Sequence, residues 1–344
     1  MREVAIKENE AGQRLDKFLA KYMPLAPKSF FYKMLRKKNI TLNGKKAAGG
    51  EKLSVGDSVK FFLSDETIGK FSEEVSISHT EETGSVKLDI LYEDGNTLFI
   101  NKPVGMLSQK AARDDLSLVE YVTSYLLRSG QITANDLKTF HPAVCNRLDR
   151  NTSGIVAAGK TMAALQELSR MFRDRSVKKY YLCLVSGILE ESARISGFLT
   201  KDGRANTVTF TRIASKGAVP IETEYRPVCT GDDVTLLEVR LITGKTHQIR
   251  AHMASRGHPI IGDYKYGIRN VNDSYREKYG LTSQLLHAVR LCIPGSAGAL
   301  SGLSGKSITA PLPELFVRIC EDKKIKRSCL TWPHGAQEDL EVPH

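Results

Sequence analysis

The densest group of reactive side chains lies in residues 146–154, which read Asn-Arg-Leu-Asp-Arg-Asn-Thr-Ser-Gly. Asp149 follows Arg147 by two positions and directly precedes Arg150. A nearby arginine favours the ionised form of a carboxyl group, and an ionised aspartate can serve as a nucleophile or a base. The same arginines could instead bind phosphate groups. From spacing alone a surface ion-pair cluster at a turn is the simpler interpretation, so catalysis here is one of two open alternatives.

A second group lies in residues 243–252, which read Thr-Gly-Lys-Thr-His-Gln-Ile-Arg-Ala-His. Its Gly-Lys-Thr tripeptide at 244–246 matches the end of a phosphate-binding P-loop, but that motif needs a glycine where this chain has Val239. The mismatch excludes the NTPase interpretation. His247 and His252 are five residues apart, on different helical faces and without a carboxylate partner, which disfavours a metal site. The sequence also lacks a Gly-x-Ser-x-Gly elbow and a Gly-x-Gly-x-x-Gly turn after a strand.

Predicted strands and helices would position these two groups. In the strand predicted over residues 178–187, alternation places Tyr181, Cys183 and Val185 on one face. Asn-Lys-Pro-Val-Gly at 101–105 follows another predicted strand and is typical of a turn. Further strands are predicted over residues 88–92 and 97–100, which flank an Asp-Gly turn, and over 236–242. Helical periodicity covers residues 117–127 and 162–173, whereas residues 269–284 are polar and predict an inserted loop.

The first 65 residues carry much of the positive charge of this 344-residue chain, whose formal net charge is +11. They hold 14 Lys and Arg against 7 Asp and Glu. Apolar spacing predicts an amphipathic helix over residues 15–22 and a second helix capped by Ser29, followed by strands near 40–42 and 59–62. The polar side of the second helix carries four cations: Lys33, Arg36, Lys37 and Lys38. Such an excess of positive charge favours a polyanionic partner.

Composition excludes several classes of protein. With 41% hydrophobic and 26% charged residues, the chain is neither disordered throughout nor collagen-like, and it is no disulfide scaffold. It lacks a run of about 18 apolar residues and an apolar signal segment near Met1, so we expect a cytoplasmic protein with no membrane contact. The six cysteines form no Cys-x-x-Cys pair, which predicts buried free thiols.

The changes in composition divide the chain into four parts. Residues 1–65 form a small basic domain, and the acidic residues 66–86 predict a flexible linker. Residues 87–325 form a large domain that mixes strands and helices, and a C-terminal tail covers residues 326–344.

Taken together, the motifs resemble those of the RluA-type family of RNA pseudouridine synthases. The resemblance covers about residues 88–316, and the motifs occur in the family's order: Lys-Pro-Val-Gly at 102–105, the signature at 147–154, the tyrosine-bearing strand at 179–187, the block at 241–267, Leu-His-Ala at 286–288 and Ala-Pro-Leu-Pro at 310–313. Residues 1–65 are similar to an S4-type RNA-binding module. The resemblance implies an α+β fold, in which a mixed, mainly antiparallel sheet with flanking helices surrounds a central cleft and the small S4-like module precedes it.

The resemblance also implies a reaction, the isomerisation of uridine to pseudouridine in RNA after the base has left its stack. The reaction consumes nothing, so we expect no cofactor and no metal. On the family's pattern Asp149 is the essential aspartate and Arg250 its basic partner; whether Asp149 attacks C1′, attacks the base or removes a sugar proton stays open. Tyr181 is the tyrosine expected to stack on the uracil and to help remove the C5 proton. The other expected site residues are Arg147 in the space of the extruded nucleotide, Leu241 and Ile242 in the pocket wall, Lys102 and His247 at the substrate, and Lys33, Arg36, Lys37 and Lys38 on RNA.

Some alternatives stay open at this point. Asn146 stands where many members have a histidine, and it can replace the histidine's hydrogen bond but not its titration. The expected substrate is large-subunit (23S) ribosomal RNA, with transfer RNA as the alternative. A non-catalytic S4-type RNA-binding protein is a further interpretation, as is a base-excising glycosylase, which would release free uracil. We expect a monomer.

Overall fold

The computed structural model describes residues 1–7, 9–72, 86–112, 114–203 and 207–331. Most of the predicted linker, from residue 73 to 85, and most of the predicted tail, from residue 332 onward, therefore lie outside the described residues. Across the described ranges, the helices are too short or too polar to cross a lipid bilayer. All six cysteines are free thiols; Cys183 and Cys320 are buried and the other four are half-buried, so the prediction of burial is confirmed for two of them.

The N-terminal unit packs three helices against a three-stranded sheet. Its elements are β1 (Arg2–Ala5), α1 (Leu15–Tyr22), α2 (Lys28–Arg36), β2 (Ile40–Leu42), β3 (Ser58–Phe61) and α3 (Asp65–Phe71). The strands are antiparallel, in the order β1-β3-β2. Leu15 and Phe18 of α1 and Phe31 of α2 are buried as the periodicity predicts, and each such side chain contributes about 1.5–3 kcal/mol. This core holds the polar side of α2 towards solvent.

Two predictions for this unit are wrong in detail. Ser29 does not cap α2, because the helix begins one residue earlier and Pro27 occupies the N-cap position with an extended backbone. The predicted linker also begins too early, since α3 occupies residues 65–71. Ser64 caps α3 by accepting the Thr67 N–H at 3.2 Å, and Ile68 is buried in the core of the unit. The acidic first turn of α3 suggested a solvated linker, whereas acidic residues are in fact favoured at a helix N-terminus.

The second unit is built on an 11-stranded sheet. Its strands are β4 (Ile90–Glu93), β5 (Thr97–Lys102), β6 (Ala143–Val144), β7 (Ser153–Gly159), β8 (Lys178–Ser186), β9 (Ala193–Asp202), β10 (Thr207–Thr211), β11 (Val219–Thr230), β12 (Val234–Leu241), β13 (Leu286–Cys292) and β14 (Ser307–Thr309). The main order is β10-β9-β11-β12-β8-β13-β7-β5-β4, with β14 beside β13 and β6 beside β7. Among the described strands, only β7 and β13 pair in parallel. The predicted mixed, mainly antiparallel sheet is confirmed.

In the described part of this unit, five helices accompany the sheet: α4 (Leu118–Arg128), α5 (Met162–Arg173), α6 (Gln248–Ser255), α7 (Arg269–Tyr279) and α8 (Glu314–Asp322). Short 3-10 turns cover Asp136–Lys138, Gly298–Leu303 and Arg327–Cys329. Helix α7 replaces the inserted loop predicted for residues 269–284. Its polar sequence hid the helix because only a narrow stripe, Asn272 and Tyr275, is buried. The Asn272 amide accepts the Gly262 N–H and donates to the Asp263 carbonyl, so α7 fixes the turn that carries Asp263.

The central strand β8 serves two cores. Tyr181, Cys183 and Val185 pack on one side of the sheet, and Leu182 and Leu184 pack on the other, as the alternation predicts. The first of these sides is the one that also carries Leu148 of the signature segment.

The two units touch close to the signature segment. The Thr139 hydroxyl donates to Oε1 of Glu10 at 2.7 Å, and both side chains are buried. Thr139 lies four residues before β6, whose C-terminal end leads into the signature.

Candidate active site

Asp149 lies in the loop between β6 and β7, and a buried lysine holds that loop from one side. Nζ of Lys102 donates to the carbonyl oxygens of Pro103 at 2.8 Å, Met106 at 2.9 Å and Arg150 at 3.1 Å. Burial lowers the pKa of Lys102 to about 7, against the opposing effect of Asp149. All three ammonium protons bind the main chain, which corrects the expectation that Lys102 contacts substrate. Lys102 instead fixes the loop.

Two polar side chains hold the loop just before Asp149. The Ser108 hydroxyl donates to the Leu148 carbonyl at 2.9 Å and accepts the Leu148 N–H at 3.0 Å. The Asn146 amide donates to a carbonyl of β7 at 3.1 Å and accepts an N–H of β7 at 2.8 Å. Asn146, the one departure from the family's motif, is therefore occupied in pairing with the backbone.

The end of the loop is fixed against β13. Gly154 has a φ of +111°, and a Cβ at this position would collide with the Ala288 main chain, so only glycine fits. Beside it the Ser153 hydroxyl lies 2.8 Å from Nδ1 of His287, and both side chains are buried. Burial lowers the pKa of His287 to about 4, so the ring is neutral at pH 7.

The Asp149 carboxylate pairs with Arg250 of α6, although the two residues are 101 positions apart. Nη1 of Arg250 lies 3.0 Å from Oδ2 of Asp149. The rest of the guanidinium is fixed by Asp263, through Nε at 2.7 Å and Nη2 at 2.9 Å. Burial opposes the charge of Arg250, but hydrogen bonds and charges of Asp263 and Asp149 outweigh it and raise the Arg250 pKa.

The two carboxylates on this arginine differ in exposure. The Asp263 side chain is fully buried, whereas the Asp149 side chain is 26% exposed. Asp263 also accepts the backbone N–H groups of Lys265 and Tyr266 at 2.9 and 3.2 Å. Asp263 therefore positions the guanidinium, and Asp149 keeps an open side towards solvent.

A histidine and a tyrosine complete this network. Nε2 of His247 lies 3.8 Å from Oδ2 of Asp149, and Nδ1 lies 2.9 Å from the Tyr266 hydroxyl. That hydroxyl also accepts the Val208 N–H at 2.8 Å, so its own proton is available for Nδ1. Burial lowers the pKa of His247, only partly offset by Asp149. A neutral His247 with its proton on Nε2, facing Asp149, fits this arrangement.

The turn before α6 is closed by Gln248. Its Oε1 accepts the Thr243 hydroxyl at 2.9 Å and the Lys245 N–H at 3.1 Å. Its Nε2 donates to the Glu222 carbonyl at 3.0 Å. These hydrogen bonds fix the turn, in which Gly244, Lys245 and Thr246 are exposed.

Tyr181 approaches Asp149 from β8. Its side chain is 6% exposed, and its hydroxyl has no hydrogen-bond partner in the described part of the chain. Burial first, and the charge of Asp149 second, raise its pKa far above the ordinary value. Tyr181 therefore keeps its proton and offers a neutral ring. Tyr180 packs on the opposite side of the strand, with Arg290 over its ring at 5.5 Å.

The remaining predicted residues fall into two places. Arg147 is exposed at the start of the loop. Leu241 ends β12 and is buried on the same side of the sheet as Leu148, and Ile242, the next residue, is half-buried. Four cations lie on α2 or directly after it, a group called the basic helix below: Lys33, Arg36, Lys37 and Lys38. All four are exposed and form no ion pair within the described residues.

Comparison with known proteins identifies the family. Residues 96–255 match the model for RNA pseudouridylate synthase, and residues 13–59 match the S4 domain. A protein of Vibrio vulnificus named ribosomal large subunit pseudouridine synthase C is 31% identical over 327 residues, covering 94% of this chain and 97% of that protein. The protein of the same name from Escherichia coli K12 is 32% identical over 290 residues, covering 84% of this chain and 87% of its own. This chain belongs to the RNA pseudouridine synthase family.

A solved structure supports the same fold for this pseudouridine synthase. Human RNA pseudouridylate synthase domain containing 4 aligns with a TM-score of 0.56 at 22% sequence identity, covering 72% of this chain and 96% of that one. At this level of identity the likeness concerns the fold alone.

Several residues that shape the site in this pseudouridine synthase were missed by sequence reasoning. Each of them forms a hydrogen bond with a residue that is distant in the sequence. These residues are Asp263, Tyr266, Ser108 and His287, which bind Arg250, His247, Leu148 and Ser153 respectively. Asp263 and Tyr266 lie within the block at 241–267 and His287 lies within Leu-His-Ala at 286–288, but the motifs alone assign them no contact, and Ser108 lies in none of these motifs.

Proposed function

We propose that this chain isomerises uridine to pseudouridine in large-subunit ribosomal RNA, with Asp149 as the catalytic carboxylate. The observation that carries the proposal is the Asp149–Arg250 pair, in which a buried guanidinium holds a carboxylate that is still 26% exposed. The RNA class rests on the names of the Vibrio vulnificus and Escherichia coli relatives.

The chemistry needs an anion beside the sugar of an extruded uridine. The N1–C1′ bond breaks, the uracil turns, and a C5–C1′ bond forms. The C5 proton leaves to solvent and N1 gains one, so atoms balance without a co-reactant. The guanidinium of Arg250, held 3.0 Å from the Asp149 carboxylate, stabilises its negative charge without having to reorient during the reaction.

The other side chains would position the base. Tyr181 supplies a neutral ring on which uracil can stack, and its raised pKa argues against a role as a phenolate base at neutral pH. Arg147, exposed at the loop, would fill the space that the extruded nucleotide leaves, since a guanidinium both stacks and pairs with phosphate. Leu241 and Ile242 would wall the pocket.

The N-terminal unit would supply RNA affinity. Its four exposed cations on and after α2 suit phosphates, which position an RNA without reading its sequence. We assign residues 1–72 to this RNA-binding domain and residues 87–325 to catalysis, because α3 packs on the N-terminal core. The proposal has the protein act as a cytoplasmic monomer without a metal ion.

The test is tritium release from large-subunit ribosomal RNA and transfer RNA, each transcribed with 5-tritiated uridine. Wild-type protein should release tritium from the ribosomal RNA. Asp149→Asn should lower the rate by about 10³-fold or more, because an amide cannot act as nucleophile or base. Asp232→Asn is the matched control, since Asp232 pairs with Lys324 at the surface.

Three results would contradict the proposal. An unchanged rate of tritium release in Asp149→Asn would show that Asp149 is not the catalytic carboxylate. Free uracil among the products would indicate a glycosylase, since an isomerase leaves the mass of the RNA unchanged. Tritium release from transfer RNA alone would show that the substrate is transfer RNA and not ribosomal RNA.

A further inference from the structure

The ammonium group of Lys179, on β8, has no hydrogen-bond or ion-pair partner among the described residues. The described part of the chain contains three buried lysines: Lys102, Lys160 and Lys179. Lys102 donates to three carbonyls, and Lys160 pairs with a carboxylate at 2.8 Å. Lys179 is 8% exposed, yet no described residue forms a hydrogen bond or ion pair with it. Its ammonium group is therefore available to an anion from outside the chain.

The charged neighbour of Lys179 is a second cation, Arg175. Burial lowers the pKa of Lys179 to about 8, and the charge of Arg175 acts in the same direction. The amine therefore still carries its proton at pH 7. Arg175 lies in the turn after α5 with a φ of +67°, in the left-handed region that favours glycine. An arginine is strained in this backbone conformation, in which a glycine would not be.

Lys179 lies beside an exposed turn and close to the residue proposed to stack on the uracil, Tyr181. Lys179 lies on the same side of β8 as Tyr181, two residues or about 6.6 Å along the strand. Its Nζ is 3.5 Å from where a Cβ of Gly244 would lie, and Gly244 is in the exposed turn before α6. The cation that pairs with Asp149 is Arg250, at 3.0 Å, so Lys179 is not part of that ion pair.

We propose that Lys179 and Arg175, beside the open turn at Gly244, form a subsite for a phosphodiester group of the RNA strand next to the target uridine. This inference rests on the proposed function. An ammonium and a guanidinium together provide the charge-assisted hydrogen bonds that a phosphate takes. The subsite would fix the strand on one side of the flipped base, while Asp149 and Tyr181 act on the nucleotide itself.

The test compares Lys179→Met with Lys178→Met, the same change one residue earlier on the opposite side of the strand. Equilibrium binding of transcribed large-subunit ribosomal RNA is measured at several salt concentrations. Lys179→Met should raise the Kd about 3- to 10-fold and reduce the slope of log Kd against log salt by about 1. Lys178→Met should stay within about twofold of wild type. Equal behaviour of the two variants would overturn the subsite.

A second variant keeps the proposal testable if Lys179→Met does not fold. Arg175→Gly relieves the left-handed backbone, so its melting temperature should rise while RNA affinity falls about 3-fold. Higher stability with unchanged affinity and salt slope would refute the subsite. Inorganic phosphate should compete with RNA more weakly against either variant than against wild type; equal competition would contradict the subsite. Tritium release by the wild-type protein in the same samples separates failure of the subsite from failure of the proposed function.

Discussion

The cations of the two units differ in how they are held. Arg250 in the catalytic unit is nearly buried and uses its guanidinium on two carboxylates, Asp263 and Asp149. The four cations of the basic helix, Lys33, Arg36, Lys37 and Lys38, are exposed and form no ion pair within the described residues. The buried cation is fixed in one geometry, whereas the exposed ones remain free to follow a phosphate backbone.

This difference assigns the two units different properties. A fixed, partly buried ion pair acts on the rate of a reaction and depends less on salt than exposed charges do. Exposed cations act on affinity, and their contribution falls as salt rises because counterions compete for the RNA. Lys179 lies between these cases, since it is buried like Arg250 but unpaired like the helix cations.

The largest expected effect comes from replacing the guanidinium group of Arg250 by an ammonium group. Arg250→Lys keeps the charge, but one ammonium cannot reproduce the paired bonds to Asp263 and the third bond to Asp149. We expect the rate of tritium release at saturating RNA to fall about 10²- to 10³-fold, with the RNA salt slope unchanged. Arg256→Lys, at the exposed end of α6, is the control. A rate near that of wild type would show that a point charge suffices.

A smaller effect is expected from His287, which holds the end of the catalytic loop without carrying charge. Its pKa is lowered from 6.5 to about 4 in the folded protein. Between these pH values the unfolded chain binds a proton that the folded protein excludes, so stability should fall as the pH drops from 6.5 to 4. The loss amounts to about 3 kcal/mol at most.

Urea unfolding at several pH values measures this dependence. His252 has a pKa lowered to about 4 as well, so His287→Gln should remove about half of the combined effect. An unchanged pH dependence in His287→Gln would contradict the assignment of a neutral, proton-excluding His287.

The smallest effect is expected from the basic helix. Replacing Lys33, Arg36, Lys37 and Lys38 together by glutamine should raise the Kd for ribosomal RNA about 10-fold and reduce its salt slope by about 3. The rate at saturating RNA should not change. The control for net charge replaces four exposed cations of the other unit, each paired with a carboxylate, by glutamine: Arg170, Lys278, Lys324 and Arg327. A salt slope that stays at the wild-type value would place RNA binding elsewhere.

Local sequence predicted much of the fold because the patterns involved are short. The alternation around Tyr181 gave the two sides of β8, and the apolar spacing of α1 and α2 gave the N-terminal core. The patterns failed for α3 and α7, where few buried residues mark a helix. Ile68 and Tyr275 each depend on packing against distant residues.

The site was less predictable because its contacts join distant parts of the chain. The resemblance to the family indicated that Asp149 and Arg250 would pair, and the structure brings them to 3.0 Å. The sequence around Asp263 does not show that its carboxylate binds Nε and Nη2 of Arg250. Lys102 was expected at the substrate from its motif, but only the fold shows that three carbonyls occupy its protons.

The most direct test asks whether Asp149 determines the rate of reaction and the basic helix determines RNA affinity, and it measures two properties in two variants. The rate of tritium release at saturating RNA and the salt slope of RNA binding are determined for Asp149→Asn and for the four-residue variant of the basic helix. The first variant should lose its rate and keep the wild-type slope, and the second should lose slope and keep its rate. Full tritium release by Asp149→Asn would contradict Asp149 as the catalytic carboxylate of this pseudouridine synthase.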